Sequence, residues 1–254
     1  MKEANIEALL TSRLIGRPLR LYQEVTSTND IALKLGEEGA PEGFAIFAET
    51  QTKGRGRLGR TWESSRGASL TFSILLRPTW PELSRISLFA AVAVAQVLER
   101  LTPYPVGIKW PNDIFINGKK IAGILCEAGK DFVVVGIGLN ILQNSNDFPS
   151  NIVDRAASLA MFCEGPVKRA ELAAALLNEM DCLYENLPET FPQIIEECER
   201  RSVLLEKKVE ISLGNHLLTG IAIGMDKSGG LKIRQSSGLE TIVSAGEVTL
   251  LRGI

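Results

Sequence analysis

The segment GIKWPNDIFINGKKIAGILCEAGKDFVVVGIGLN, residues 107–140, decides the fold class. Four short apolar stretches of strand type follow one another in it, at 107–110, 114–117, 121–127 and 132–140. The dipeptide Asn117-Gly118 follows the second stretch and is typical of a tight β-hairpin. Because few crossover helices separate the strand candidates up to residue 140, we predict an α+β fold and not a doubly wound parallel sheet.

The patterns upstream of this segment support the same class. Hydroxyl and amide side chains at Thr26-Ser27-Thr28-Asn29 predict a capped start for a short helix that ends at Gly39. A second helix, long and mostly apolar, is predicted at 84–100. The alternation of residue types predicts further strands at 43–50 and 68–76.

The pattern changes twice downstream. It is helical from 154 to about 201, most clearly at 167–184. Short alternating segments separated by turn signals such as Gly214-Asn215 then occupy 208–251, which is the spacing of a small β-barrel. We therefore predict two domains, 1–205 and 206–254.

The composition excludes several classes of protein. The 254 residues include 28 Lys+Arg and 30 Asp+Glu, a formal net charge of −2, so we do not expect a broadly basic surface for nucleic acid or membranes. One histidine and four cysteines without a CxxC pair argue against His and Cys metal sites and against catalysis by imidazole. We expect a structural role for His216 and buried, reduced thiols at the cysteines. The cysteines are Cys126, Cys163, Cys182 and Cys198.

Neither a signal peptide nor a membrane span is predicted. Glu3 and Glu7 interrupt the region where a signal peptide needs an apolar run. The longest apolar stretch, 88–95, is far shorter than the roughly 20 residues of a membrane-spanning helix. We therefore expect a soluble, cytoplasmic protein.

The decapeptide QTKGRGRLGR, residues 51–60, is the most informative segment for function, and we call it the basic loop. It contains Lys53, Arg55, Arg57 and Arg60 and no acidic residue. Its glycines allow tight turns that present backbone N–H groups, and arginine forks bind carboxylates or phosphates in a bidentate manner. We therefore predict an anionic ligand here, and a loop that is mobile until the ligand neutralises it.

The basic loop also matches GxGxxG, but the familiar nucleotide-binding motifs do not fit. A Rossmann fingerprint requires a helix directly after the glycines, whereas the next predicted element is a strand. The kinase glycine-rich loop requires HRD and DFG motifs, and the P-loop requires GxxxxGK[ST]; the sequence contains none of these. A solvated basic turn and a nucleic-acid contact remain as alternatives for the loop.

Further polar groups accompany the predicted strands. In KWPND, residues 109–113, a proline-fixed bend sets the directions of the neighbouring Lys109 and Asn112, and Lys120 follows on the paired strand. In GIGLN, residues 136–140, glycines allow a flat group to approach and Asn140 offers an amide. Trp62 is a candidate either to cover a ring or to pack in the core.

Taken together, these motifs resemble those of the biotin protein ligases. The resemblance rests on Ser27-Thr28-Asn29, on Gln51 with GRGRLGR and Trp62, on KWPND, on KKIAG at 119–123 and on GIGLN. It implies a mixed-sheet catalytic domain of the biotin/lipoate ligase type and a C-terminal SH3-like barrel. It also implies activation of biotin by MgATP as biotinyl-5′-AMP, followed by transfer to a lysine of a biotin carboxyl carrier protein domain.

The resemblance assigns roles to individual residues. Biotin would be bound by Ser27, Thr28, Asn29, Gln51, Arg55, Gly56, Arg57 and Lys109. The nucleotide would be bound by Arg57, Arg60, Trp62, Lys120 and Asn140. Lys109, Arg57 and Lys120 would act on the reacting groups, and Asp113 would accept the proton of the acceptor lysine.

The sequence leaves several points open. Ser27 stands too close to the start of the sequence for a preceding DNA-binding domain, so the monofunctional type without a DNA partner is expected. A lipoate or octanoyl ligase is the nearest enzymatic alternative, but its RRxxGGG motif and nearby histidine are missing. A non-catalytic nucleotide-binding module is a second alternative. An exposed sheet edge near 114–140 could join two subunits in a homodimer.

Overall fold

The computed structural model describes residues 1–78, 83–214 and 216–251. It confirms the α+β class, because strands and helices occur in separate layers and most neighbouring strands are antiparallel. The predicted barrel also includes Asn215 and residues 252–254, which lie outside the described residues.

The larger sheet has seven strands. They are β1 (Leu19–Val25), β2 (Ala45–Gln51), β3 (Ser69–Leu76), β4 (Val106–Lys109), β5 (Asp113–Ile116), β6 (Lys119–Ala128) and β7 (Val133–Asn140). Their order is β1-β2-β3-β7-β6-β5-β4. Only β1 and β2 pair in parallel, so the sheet is mixed.

Helices cover both faces of this sheet. They are α1 (Glu3–Glu7), α2 (Thr28–Glu37), α3 (Leu83–Glu99), α4 (Arg169–Tyr184) and α5 (Leu187–Arg200). On β3, Leu75 packs with Ala32 of α2, whereas its neighbours Ile74 and Leu76 belong to the core that contains α3. Because side chains alternate between the faces of a strand, α2 and α3 lie on opposite sides of the sheet.

The hairpin between β5 and β6 forms as the sequence predicts. Asn117 and Gly118 have φ values of 48° and 75°, the left-handed conformations that a tight hairpin turn requires. Pairing between β5 and β6 ends at Asp113 and Gly123, while β6 continues to Ala128 beside β7. Beyond β5, Ile124 still bonds through its N–H and C=O to Asn112, and residues 125–128 have no strand beside them on that side within the described part of the chain.

The C-terminal segments form a five-stranded antiparallel sheet. Its strands are β8 (Lys208–Leu213), β9 (His216–Met225), β10 (Leu231–Arg234), β11 (Glu240–Val243) and β12 (Glu247–Leu250). They follow the order β11-β10-β9-β8-β12, which agrees with the predicted SH3-like barrel. The buried Trp110 donates from Nε1 to the carbonyl oxygen of Gly229 at 2.9 Å, so the KWPND bend is attached to this sheet.

The structure corrects some sequence-based predictions. Strand β1 was not predicted. Residues 154–168 are not an α-helix; they contain only a short 3-10 turn, Leu159–Phe162, and the α-helices begin at Arg169. All four cysteines are free, but Cys182 is exposed and only Cys198 is fully buried. His216 is exposed at the start of β9.

No helix within the described ranges combines the length and the apolar character that a membrane crossing requires.

Candidate active site

The predicted site residues meet in one cleft. The cleft lies where the start of α2, the basic loop, the bend after β4 and the faces of β6 and β7 come together. It is lined by Ser27, Thr28, Asn29, Gln51, Arg55, Gly56, Arg57, Arg60, Trp62, Lys109, Asp113 and Lys120. These residues are separated by up to 93 positions in the chain, from Ser27 to Lys120. Their convergence is therefore a property of the fold.

One end of the cleft is a network of neutral polar groups. The backbone N–H of Thr28 donates to Gln51 Oε1 at 2.7 Å. Ser73 Oγ lies 2.7 Å from Thr28 Oγ1 and 2.6 Å from Asn29 Oδ1. Ser27 stands at the N-cap of α2 but forms no side-chain capping bond, so the predicted cap is wrong in this detail. The side chains of Thr28 and Asn29 instead form hydrogen bonds with residues of β2, β3 and β6.

The glycines of β7 bring Trp62 onto the sheet. Gly136 and Gly138 share one face of the strand, because side chains alternate. A Cβ atom on Gly138 would lie 2.3 Å from Cε2 of Trp62, and one on Gly136 would lie 2.1 Å from Oδ1 of Asn29. The flat group that the GIGLN pattern predicts is therefore accommodated here, and it is the indole of Trp62. Its Nε1 is buried without a hydrogen-bond partner among the described residues.

The arginines of the basic loop face protein acceptors. Arg55 pairs with Asp30 at 2.7 Å and with Glu127 at 2.8 Å. Arg57 donates to Asn112 Oδ1 at 2.9 Å and to the carbonyl oxygen of Gly246 at 3.0 Å.

Arg60 is paired in the same way, with Glu247 of β12. The hydrogen bond and charge of Arg60 hold the pKa of the Glu247 carboxyl below its usual range. Burial lowers the pKa of the Arg57 guanidinium, but arginine remains protonated in proteins. The repulsion expected within the basic loop is thus offset by acids from α2, β6 and β12.

Two lysines complete the cationic part of the cleft. Lys120 Nζ is 2.7 Å from Asp113 Oδ1 and 5.8 Å from the centre of a Trp62 ring. Lys109 Nζ lies 6.0 Å from the ring centre of Phe115. Burial of the Lys109 ammonium group lowers its pKa, with the nearby charge of Asp113 acting in the opposite direction. Burial therefore disfavours the charged form of Lys109, and an anion beside it would be strongly attracted.

Sequence reasoning missed the contribution of the C-terminal sheet. Residues 246–248 line the cleft and supply the partners of Arg57 and Arg60. It also missed Glu127, which holds Arg55 and Asn29. A lone acid in the strand pattern KIAGILCEA carries no local signal of this kind; only the pairing of β6 with β7 and the fold of the basic loop create the contact.

Comparison with known proteins agrees with this arrangement. The model of the Biotin/lipoate A/B protein ligase family matches residues 21–144. The bifunctional ligase/repressor BirA of Bacillus subtilis is 34% identical over 253 residues, which cover 96% of this chain and 78% of that protein. The biotin–[acetyl-CoA-carboxylase] ligase of Mycobacterium tuberculosis is 33% identical, over 97% of this chain and 96% of that protein. The chain belongs to the biotin protein ligase family.

The structural comparison extends the likeness to both sheets. The biotin protein ligase of Aquifex aeolicus in complex with biotin and ATP superimposes with a TM-score of 0.82 and 34% identity, covering 93% of this chain and all of that one. The α+β fold and the C-terminal sheet of this chain thus belong to an architecture that it shares with the Aquifex protein.

Asn140 is the one predicted site residue that does not line the cleft as the structure describes it. Its side chain is buried, and its Oδ1 accepts from Gln143 Nε2 at 3.2 Å. Gln143 also donates to Ser69 Oγ at 2.7 Å. The amide of Asn140 is therefore held in a network at the end of β7, on the same strand face as Gly138, and its role toward adenine remains a prediction.

Proposed function

We propose that this chain activates biotin and attaches it to a protein. The biotin carboxylate attacks the α-phosphorus of ATP, which forms biotinyl-5′-AMP and releases pyrophosphate. The side-chain amine of a lysine on a biotin carboxyl carrier protein domain then attacks the acyl carbon, which forms an amide and releases AMP and a proton. The observation that carries the proposal is the single cleft that joins the polar Thr28 and Gln51 end to the cations of the basic loop, Lys109 and Lys120.

The first step requires two anions to approach each other. At about 4 Å and an effective dielectric constant near 20, two like charges repel by roughly 4 kcal/mol. Lys109, Arg57 and Arg60 are placed to offset this repulsion and to stabilise the charge that develops on the phosphate oxygens. Mg²⁺ enters as part of the substrate MgATP. Within the described residues, no group of three or more His, Cys, Asp or Glu side chains forms a metal site.

Binding of the phosphates exchanges partners at the basic loop. An arriving phosphate oxygen competes with Glu247 for Arg60 and with the Gly246 carbonyl for Arg57. Trp62 lies beside Lys120 and is positioned to enclose the nucleotide and exclude water.

The second step requires a neutral amine, so the acceptor lysine must lose a proton. Asp113 is the proposed acceptor. Its carboxylate is 2.7 Å from Lys120 and lines the cleft, so it lies among the phosphate-binding cations. Movement of Lys120 toward a phosphate would leave Asp113 free to take the proton.

We also propose the setting in which the enzyme works. All four cysteines are free thiols, which suits a reducing cytoplasm. The edge of β6 at 125–128, beyond the bonds of Ile124 to Asn112, is the surface that we propose for a second subunit in a homodimer. DNA is not among the proposed partners, because the net charge is −2 and acids face the loop arginines. The division into domains at 1–205 and 206–254 is supported by the start of the second sheet at Lys208.

The function is tested by incubating the protein with biotin, MgATP and a carrier domain. We expect the carrier to gain the mass of one biotinyl group on a single lysine, and pyrophosphate release to depend on biotin. Lipoate in place of biotin is the matched control. Transfer of lipoate without transfer of biotin would overturn the proposal in favour of a lipoate ligase, and nucleotide binding without pyrophosphate release would favour a binding module.

A further inference from the structure

Glu127 of β6 connects the polar end of the cleft to the basic loop. Its Oε2 accepts from Asn29 Nδ2 at 2.7 Å. Its two oxygens also accept from Arg55 Nη1 and Nη2 at 2.9 and 2.8 Å, a bidentate pair. The other partner of Arg55 is Asp30, on the helix that carries Asn29. One carboxylate thus touches both segments that bound this end of the cleft.

The carboxylate determines which way the Asn29 amide points. A carboxylate accepts hydrogen bonds and cannot donate them, and the carbonyl oxygen of Leu125, 3.2 Å from Nδ2, is also an acceptor. The NH₂ group of Asn29 must therefore face Glu127 and Leu125, and its Oδ1 must face Ser73. Loss of the negative charge would remove the stronger of the two restraints on this orientation.

The orientation of Asn29 passes along the buried hydroxyl groups. Ser73 is fully buried and has a single proton, and Asn29 Oδ1 cannot donate. The 2.6 Å contact between them therefore uses the Ser73 proton. The 2.7 Å contact between Ser73 and Thr28 then requires Thr28 to donate to Ser73.

The Thr28 oxygen is left with lone pairs toward the cleft that it lines. The other acceptor near the Thr28 hydroxyl, Gln51 Oε1, lies 3.1 Å from Oγ1, farther than the Ser73 oxygen at 2.7 Å, and it already accepts from the Thr28 backbone N–H. The closer contact with Ser73 also needs a proton that only Thr28 can supply, so the Thr28 proton is used there. Thr28 Oγ1 is therefore presented to a ligand as an acceptor. The ureido ring of biotin offers N–H donors, which match it.

We propose that Glu127 is a positioning residue for biotin recognition. Through Asn29 and Ser73 it makes the Thr28 hydroxyl an acceptor for a ureido N–H, and through Arg55 it fastens the basic loop at the same end of the cleft. This inference rests on the proposed function, because it concerns biotin as the ligand. Glu127 acts on the bound molecule through its neighbours and takes no part in the chemistry.

The test measures biotin binding by calorimetry in the absence of ATP, with Glu127→Gln as the main variant. Glutamine has the same shape, but it lacks the charge and can present its NH₂ group to Asn29. Because hydrogen bonds to charged groups are the strong ones, we expect biotin affinity to fall about tenfold or more. The KM for ATP should change less than about twofold, as for sites that share no partners. Glu240→Gln, which removes the exposed pair with Arg234 on the C-terminal sheet, should leave both constants unchanged.

Two further variants separate the hydrogen-bond chain from a general effect on the loop. Asp30→Asn weakens the hold on Arg55 without touching Asn29, and we expect a smaller loss of biotin affinity than for Glu127→Gln. In a Thr28→Val background the acceptor is gone, so Glu127→Gln should cause no more additional loss than Asp30→Asn, because only the hold on Arg55 is still affected. Equal losses in Asp30→Asn and Glu127→Gln, or additive losses in the double variant, would overturn the proposal.

The outcomes also distinguish this inference from the proposed function. A wild-type protein that does not bind biotin contradicts the function itself. A wild-type protein that binds biotin, with Glu127→Gln binding equally well, contradicts only the role of Glu127. Parallel loss of biotin affinity, ATP affinity and thermal stability in Glu127→Gln would indicate a merely structural residue and would also overturn the inference.

Discussion

Replacement of Gly138 by alanine tests whether Trp62 must rest directly on β7. The added Cβ would lie 2.3 Å from Cε2, 2.5 Å from Nε1 and 2.7 Å from Cζ2 of the indole. Ordinary contacts begin near 3.4 Å, so the ring has to move by about 1 Å. Overfilling a packed site costs typically 1–3 kcal/mol, which corresponds to roughly a 5- to 150-fold change in an equilibrium constant.

If Trp62 encloses the nucleotide, most of this steric free energy should weaken the binding of ATP. We expect the KM for ATP to rise about tenfold in Gly138→Ala, within the range of that steric cost. The assay is biotin-dependent exchange of pyrophosphate into ATP, with ATP varied at saturating biotin. The dissociation constant of biotin, measured without ATP, should change much less, because the indole Nε1 forms no hydrogen bond with Thr28, Gln51 or any other described residue.

Gly123 supplies the matched control. A Cβ at Gly123 would approach Cζ3 of Trp62 only to 3.2 Å, and the flexible end of Lys120 to 3.3 Å. These groups need to yield by only a few tenths of an ångström. Gly123→Ala should therefore leave the KM for ATP within about threefold of wild type. Identical ATP constants for wild type, Gly123→Ala and Gly138→Ala would refute the argument that the indole position on β7 matters for the nucleotide.

Three further predictions follow from the cleft and its supports. Because burial lowers the pKa of Lys109, the rate of adenylate formation should begin to fall at a pH below the ordinary lysine pKa of about 10.4. Lys109→Arg should abolish this decline at high pH, and a rate of pyrophosphate release unchanged in Lys109→Ala would contradict the assignment. Arg57→Ala removes the bonds that hold the basic loop to Asn112 and Gly246, so it should release biotinyl-5′-AMP early and biotinylate bystander lysines, scored by mass spectrometry against a protein without a carrier domain. Trp110→Phe should lower the free energy of unfolding by about 1–3 kcal/mol, because the Gly229 carbonyl loses its buried donor; a urea midpoint equal to wild type would show that this bond is not needed.

Local patterns were sufficient for most elements that carry the site. The Asn117-Gly118 turn, the period of two in 136–140 and the start of a helix after Ser27 depend on nearest neighbours, and the structure contains all three. The sequence was therefore sufficient to predict which side chains these elements carry at their ends and on their faces. Their convergence on one cleft followed only from the family resemblance, because composition and periodicity say nothing about which strand faces meet.

The errors arose where long-range contacts override the local pattern. Strand β1 is an edge strand that pairs with β2 alone, and several of its side chains are exposed, so it lacks a strong apolar signal. The segment 154–168 is held in non-helical form by backbone bonds to β6: Lys120 donates to the Arg155 carbonyl at 2.8 Å, and Ala157 donates to the Lys120 carbonyl at 3.0 Å. These bonds also fix the backbone of Lys120 beside the cleft. Local sequence propensities cannot predict these backbone hydrogen bonds, because the paired residues are distant in the sequence.

Electrostatic balance explains why β12 matters to the site, although its sequence pattern predicts only a strand. A basic loop with Lys53 and three arginines stands in a chain whose net charge is −2. Without partners, each close pair of exposed cations would repel by roughly 1 kcal/mol, more where water is excluded. Glu247 offsets this repulsion at Arg60, but it is 187 residues away in sequence.

Such a pair is not a permanent structural bond. Arg60 and Glu247 are partly exposed, so their attraction is modest, whereas a triphosphate offers several charges and bidentate geometry to the same guanidinium. A nucleotide bound as proposed would therefore replace a weak partner of Arg60 with a stronger one and would not meet bare, repelling cations. The acids that neutralise the ligand-free loop are single carboxylates on separate elements: Asp30, Glu127 and Glu247. They are sufficient to stabilise the loop, but each binds an arginine more weakly than a triphosphate would, so a nucleotide could still displace Glu247 from Arg60.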